Sequence, residues 1–296
     1  MTPALETLVT DPGRDFALLD CGHGRKLERC GPYRFIRPEP QAMWAPAGDD
    51  WAADGEFLGA ADEDGGGRWH LASHVPDEWP IEQAGVRFLA RCTPFRHLGF
   101  FPDMAPHWAR LATLPKGSRV LNLFGYTGVA TLVAAAAGAE VVHVDASKKA
   151  LALARDNATL AGLADRPIRW ILDDARKFVA REVRRGNRYD AILLDPPKFG
   201  RGPGGETWNL ATDLGPLAAD CLRLLDARSR FLILTTYAVR LSAVALRGLL
   251  QSHAGHLPGA VQAGEMTLRE ERRGLLLPTA IFAIWERMDH RTGESA

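Results

Sequence analysis

A chain of 296 residues with 46% hydrophobic and 24% charged residues has the make-up of a globular protein, with room for one large core or two modest ones. Lysine plus arginine equals aspartate plus glutamate at 36 each, so no global field draws the chain to nucleic acid or membrane, and any such binding needs a local patch. No apolar run approaches the ~20 residues that cross a bilayer, and the acid-bearing start Met1 to Asp20 is unlike a signal peptide, so the expected location is cytoplasmic with no membrane partner.

Up to about residue 110, Trp44, Trp51, Trp69 and Trp79 recur among prolines and glycines. Short extended runs, Tyr33 to Arg37 and Arg68 to Ser73, alternate with turns such as Asp62 to Gly67. This reads as a small β-rich N-terminal domain, 1–93, followed by a second domain, 94–296. Phe95 to Trp108 leads into a short helix ending near Leu114, and Pro115-Lys116-Gly117 breaks it.

From there strands alternate with helices. Arg119 to Phe124 is a strand, Gly125-Tyr126-Thr127-Gly128 a turn, and Val129 to Ala137 an alanine-rich helix closed by Gly138. Val141 to Asp145 is the next strand, and Ser147 opens a helix to about Ala161. Ile168 to Leu172 ends in Asp173-Asp174 before a basic helix to Arg185. Tyr189 to Asp195 and Phe231 to Tyr237 are further strands, with a helix from Leu241 to His253. Val261 to Leu268 and Thr279 to Trp285 have no helix between them, which predicts an antiparallel hairpin at the sheet edge. The fold class is α/β: a doubly wound, Rossmann-like seven-stranded sheet with an antiparallel last strand.

Such sheets bind ligands at the carboxyl ends of their strands. Asp145, 20 residues after Gly125, can accept from both ribose hydroxyls of an adenosine ligand, whether NAD or S-adenosylmethionine. A dinucleotide fingerprint needs G-x-G-x-x-G against the pyrophosphate; only Gly125 and Gly128 occur here, which favours a phosphate-free ligand, though the same pair suits a plain tight turn. The Asp174 carboxylate can take an adenine amine and the N–H of Ala175 a ring nitrogen; Asp173 or Asp174 can equally cap the helix that follows. Asp195-Pro196-Pro197-Lys198-Phe199 directly follows an apolar strand. Its prolines fix the backbone and leave carbonyls aimed past the strand end, Lys198 can meet negative charge, and Phe199 can stack on a base. In Gly200 to Trp208, four glycines suggest a lid, or a loose connector, with Arg201 and Trp208 able to clamp a phosphate and stack a base. Arg176, Lys177, Arg181, Arg184 and Arg185 could contact RNA, but read more readily as a solvated helix face. Cys21, Cys30, Cys92 and Cys221 form no Cys-x-x-Cys pair, and the nine histidines show no ligand spacing, so no metal is expected.

These residues (LNLFGYTGVAT at 121–131, Val144-Asp145, Asp173-Asp174 and DPPKF at 195–199) resemble the class I S-adenosylmethionine-dependent methyltransferases, in the branch of the large-subunit ribosomal RNA enzymes acting on cytosine C5 or guanine N7. The resemblance spans roughly 94–288. It implies a wall before the first strand from Gly99 to Asp103, Phe101 included, with Met104-Ala105 in place of the family's Gln-Arg. It also implies that cofactor contacts come from Asn122, Phe124, Gly125 to Gly128, Asp145 with Ala146 and Ser147, Asp173 to Ala175, and Asp195. The Asp195 to Lys198 segment then faces the transferred methyl. The RNA-binding module of the cytosine enzymes is not recognisable, and Leu18 to Pro46 resembles an uncharacterised subgroup with its own β-rich start.

Cytosine C5 needs a cysteine thiolate to add first, and the family's thiol lies in or after the fifth strand, here Leu234 to Tyr237. The expected reaction is therefore methyl transfer from S-adenosylmethionine to an RNA base, at nitrogen, with RNA held by local contacts. A protein side chain or small metabolite as acceptor, an NAD-dependent dehydrogenase, and a non-catalytic nucleotide-binding module are the alternatives.

Overall fold

The structure is a computed structural model, which describes residues 4–48, 50–59, 66–237 and 240–288. Of the turn expected at 62–67, residues 62–65 lie outside the described residues. In chain order, β1 (Glu6–Thr10) precedes a sheet of β2 (Phe16–Gly22), β3 (Arg25–Cys30), β4 (Tyr33–Pro38), β5 (Gly55–Gly59) and β6 (Gly67–Leu71), then the hairpin β7 (Trp79–Gln83) and β8 (Val86–Ala90). A single 3-10 turn, Pro102–Met104, leads into α1 (Ala105–Ala112). The alternating region comprises β9 (Arg119–Leu123), α2 (Val129–Ala136), β10 (Glu140–Asp145), α3 (Lys148–Leu160), β11 (Ile168–Leu172), α4 (Ala175–Arg184) and β12 (Ala191–Leu194). After the small hairpin β13 (Phe199–Arg201) and β14 (Thr207–Asn209) come α5 (Leu210–Arg223), β15 (Phe231–Tyr237), α6 (Ala243–His253), β16 (Gly259–Arg269) and β17 (Leu276–Arg287).

The large sheet has the order β1-β16-β17-β15-β12-β9-β10-β11. Pairs among β15, β12, β9, β10 and β11 are parallel, and β17 runs antiparallel between β15 and β16. The seven expected strands are present, but the closing hairpin is not the edge. β1, from the span read as the N-terminal domain, adds an eighth strand parallel to β16, pairing Glu6 with Gly264 through Thr10 with Leu268. The close approach there is possible because residue 264 is glycine: a Cβ would overlap the Glu6 backbone.

Each face of the sheet has its own core. One is built with α4, α5 and α6 around Leu121, Ile192, Leu222 and Trp285. The other is continuous from Phe16, Phe35 and Phe88 of the N-terminal strands, through Trp108 of α1 and Leu132 of α2, to Phe282 of β17. The N-terminal sheet thus shares its apolar interior with the large one. Buried Asp20 and Glu270 reinforce the contact: Arg273 bonds to both, and Glu270 accepts the Cys21 N–H at 3.0 Å. Two helix starts follow their sequence signals, with Ser147 and Asp174 accepting the N–H of Ala150 and Lys177, and Ser242 caps α6 in the same way through the N–H of Ala245.

A candidate methyl-transfer site at the strand ends

The turn after β9 carries unusual backbone strain. Phe124 and Tyr126 have φ of 56° and 48°, and Gly128, which caps α2, has 87°. Non-glycine residues in this region cost free energy and persist where surroundings impose them. Here Asp145 does so: its Oδ2 accepts the Tyr126 N–H at 2.9 Å and its Oδ1 the Ser147 N–H at 2.7 Å, with the Ala146 N–H also acting on it. Three donors on a carboxylate with about four lone-pair sites leave room for a further bond from a ribose hydroxyl. Burial holds the Asp145 carboxyl above the usual range, so the group is poised for added donors.

Gly125 is required for a different reason. A Cβ there would lie 2.6 Å from Nδ1 of the buried His143 ring. That ring cannot yield easily: it lies 4.9 Å from Trp170, centroid to centroid, and Nδ1 is 2.9 Å from the Thr131 hydroxyl, which in turn accepts the Asn122 amide at 2.9 Å. Gly125→Ala is accordingly expected to cost about 1–3 kcal/mol in urea unfolding, as overpacking does. Combined with His143→Ala, which vacates the space, it should cost less than the sum of the two single changes.

This network corrects the place given to Asn122, which is buried and spends its amide on Thr131 rather than facing a ligand. Thr127 uses its side chain inside the fold as well. Its hydroxyl donates to the Gly99 carbonyl at 2.8 Å, latching the Gly99–Asp103 segment to the turn, while its own carbonyl accepts from Asn157 of α3. The segment so held supplies an aromatic wall. Phe101 lies 5.0 Å from Tyr237, 6.3 Å from Tyr126 and 5.3 Å from His97, ring to ring. Burial lowers the His97 imidazole to about 4, which keeps it a neutral ring in that wall.

At the end of β11 the cap falls to Asp174, whose Oδ1 accepts the Lys177 N–H at 3.1 Å. Arg176 meets the same carboxylate, and Asp173 pairs with Arg181. The N–H of Ala175, in the first helical turn, has no acceptor within α4. The basic face of α4 is largely neutralised by acids, since Lys177 also pairs with Glu206, Arg176 with Asp213 and Arg185 with Glu182.

Beyond β12 the expectation for 195–208 changes in three respects. The glycine-rich stretch is not a loose connector but the β13–β14 hairpin, fastened to α4 by Lys177–Glu206 and by Arg176 on the Thr207 carbonyl. Trp208 is 5% exposed, packs on Phe124 and donates its indole N–H to the Pro197 carbonyl at 2.6 Å; it anchors the hairpin instead of offering a face to a base. The Pro197 carbonyl accepts from Trp208 and the Lys198 carbonyl from Leu210, which ties both into the hairpin and the start of α5. Pro196 is buried. Phe199, by contrast, is 57% exposed with the Lys198 ammonium 5.3 Å over its ring, and Arg201 is exposed.

Asp195 sits at the head of this segment, half-buried, with its Oδ1 accepting the Thr235 hydroxyl at 2.7 Å. Desolvation pushes its carboxyl up to about 7, with the nearby Asp103 carboxylate adding to the effect. Thr235, His143, Thr131 and Asn157 were not singled out from sequence. The available signal was a polar residue inside an apolar strand: Asn122 and His143 are register partners in β9 and β10, and Thr235-Thr236 interrupt β15. The set of groups fits an adenosine-type ligand: a doubly anchored carboxylate, a first-turn amide, an aromatic wall and a half-buried carboxylate are gathered at the ends of β9 to β12.

The family model described as S-adenosylmethionine-dependent methyltransferase matches residues 51–214. The chain belongs to the S-adenosylmethionine-dependent methyltransferases. A solved S-adenosylmethionine-dependent methyltransferase from Agrobacterium tumefaciens is 45% identical, over 97% of this chain and 95% of that one, with a TM-score of 0.91. A solved structure from Streptococcus mutans, 15% identical over 92% of this chain and 76% of its own, has a TM-score of 0.70, a likeness of fold. Among curated relatives, Ribosomal RNA large subunit methyltransferase I of Aeromonas hydrophila is 39% identical over 119 residues, 40% of this chain and 30% of that protein. The namesake from Tolumonas auensis is 39% identical over 126 residues, 42% and 32% of the two chains. The matches thus span about a third of those relatives' length. The methyltransferase uses S-adenosylmethionine, and among the described residues no helix is long and apolar enough to cross a membrane.

Proposed function

We propose that this methyltransferase acts on a base of RNA, at a nitrogen that carries a proton. The observation that carries the reading is a proton-accepting carboxylate four residues from an exposed ring: Asp195 at the end of β12, then Phe199. The names of the ribosomal RNA relatives support the acceptor class. When bound, S-adenosylmethionine supplies an electrophilic methyl on a sulfonium. We assign its ribose to Asp145, its adenine to Asp174 and the Ala175 N–H, and its apolar surround to Phe101, Phe124 and Tyr126. Asp195 takes the acceptor's proton on the oxygen not engaged by Thr235. Phe199 stacks on the base and Arg201 meets a phosphate.

Nitrogen is favoured over C5 because no thiol is placed to attack. Cys21, Cys30 and Cys221 are buried, and burial pushes half-buried Cys92 up to about 12, far from thiolate at neutral pH. Tritiated S-adenosylmethionine offered to RNA, protein and metabolite fractions of cells lacking the enzyme should label RNA. Label in protein or metabolites alone would replace the acceptor, and a covalent adduct with fluoropyrimidine RNA would restore C5 chemistry.

Phe199→Ala should weaken RNA binding by about 1–3 kcal/mol, and Arg201→Ala should flatten its salt dependence by about one phosphate's worth, with S-adenosylmethionine affinity unchanged. Filter binding across a salt series checks both. A wild-type slope already near zero would count against RNA.

A further inference from the structure

We propose that Asp103 is a positioning residue for methyl transfer, acting through Asp195. Thr235 and Tyr237 lie two residues apart on β15 and so face one side of the sheet about 7 Å apart. The first donates to Asp195 at 2.7 Å, and the second acts on Asp103. From β17, antiparallel beside β15, the Thr279 hydroxyl reaches Asp103 Oδ2 at 2.6 Å. Two carboxylates, one from the segment before α1 and one from the end of β12, are thereby fixed against the same strand pair. Lys26 of β3, held by Glu28 at 3.5 Å and Glu39 at 3.2 Å, stabilises the Asp103 charge from the opposite sheet.

This arrangement has a chemical use. Carboxylates that feel each other titrate as a pair, and the charge settles where it is best solvated. Burial raises both carboxyls; at Asp103 it is opposed by Thr279, Lys26 and Tyr237, and at Asp195 by Thr235, with the Asp103 charge pushing the Asp195 carboxyl further up. In the transfer step the acceptor nitrogen bonds to the methyl carbon and the carbon–sulfur electron pair stays on sulfur. The N–H proton passes to Asp195. Asp103 thus sets the basicity of the group that receives the proton. The catalytic benefit rests on the proton-bearing acceptor proposed above, whereas the coupling of the two carboxyls does not.

Carbon-13 NMR of the full chain labelled at aspartate Cγ, with no acceptor present, tests the coupling independently of whether RNA is the substrate. The Asp195 signal, identified by its loss in Asp195→Asn, should titrate near neutral pH. Asp103→Asn removes the neighbouring charge and should lower that midpoint by about one pH unit, a tenfold change in proton affinity. Thr279→Val, which lets Asp103 hold a proton more readily, should shift it the same way and decides the matter if Asp103→Asn does not fold. An Asp195 midpoint in the ordinary carboxylate range, or one unmoved by the deciding variant, overturns the proposal.

Discussion

Asp195→Asn is expected to lose methyl transfer by roughly 10²-fold or more while making the folded protein more stable above neutral pH. Desolvation, together with Asp103, raises the Asp195 carboxyl from 3.8 to about 7, so the folded chain binds this proton more tightly than the unfolded one. The stability contributed by that proton is complete below about 4 and is lost as the pH rises towards 7; above that, an ionised carboxylate is carried in a poorly solvated place. Asparagine carries no charge, and its side-chain oxygen can still accept from Thr235. The variant should therefore match the wild type near pH 3.5 and exceed it near pH 8, by on the order of 2–4 kcal/mol. Thermal melts at the two pH values check this. Equal or lower stability of the variant at pH 8 would mean that Asp195 ionises there without penalty.

Asp145→Ala should weaken S-adenosylmethionine binding by about 2–4 kcal/mol, roughly 30- to 1000-fold in affinity. Two losses combine. The carboxylate that would hold the ribose hydroxyls is gone, and so is the acceptor that fixes Tyr126 at a φ of 48° through its N–H. Without that anchor the turn can relax to an ordinary conformation, and binding must then restore the strained one. Asp145→Asn should fall nearly as far, because one arm of the amide would turn N–H groups towards the Tyr126 or Ser147 N–H. Titration calorimetry with S-adenosylmethionine measures both variants; tight NAD binding with none for S-adenosylmethionine would overturn the assignment.

Local chemistry made much of this protein legible in its sequence. Glycine after strand ends, serine or aspartate before helices and period changes in apolar residues act over a few positions, so the alternating region from Arg119 to Trp285 could be read nearly element by element. The strand-end acids were legible for the same reason: Asp145, Asp174 and Asp195 each follow an apolar run that must end at the sheet's carboxyl edge.

What the sequence left open depends on partners far apart in the chain. Nothing local to residues 6–10 announces a strand that pairs with Gly264. Trp208 reads as a free stacking ring until the Pro197 carbonyl and Phe124 are placed against it, and the glycines around it read as flexible until Glu206 and Lys177 tie the hairpin to α4. Asn122 and Thr127 have the residue types of ligands but spend their hydrogen bonds inside the fold, on Thr131 and Gly99. Asp103 gains its neighbour Asp195, and Lys26 its place beside them, only when two sheets close over one core. Sequence determined which groups stand at the strand ends, because that follows from backbone periodicity. Tertiary structure decided which of them remain free to meet a ligand, because a polar group's availability depends on what burial has already paired with it.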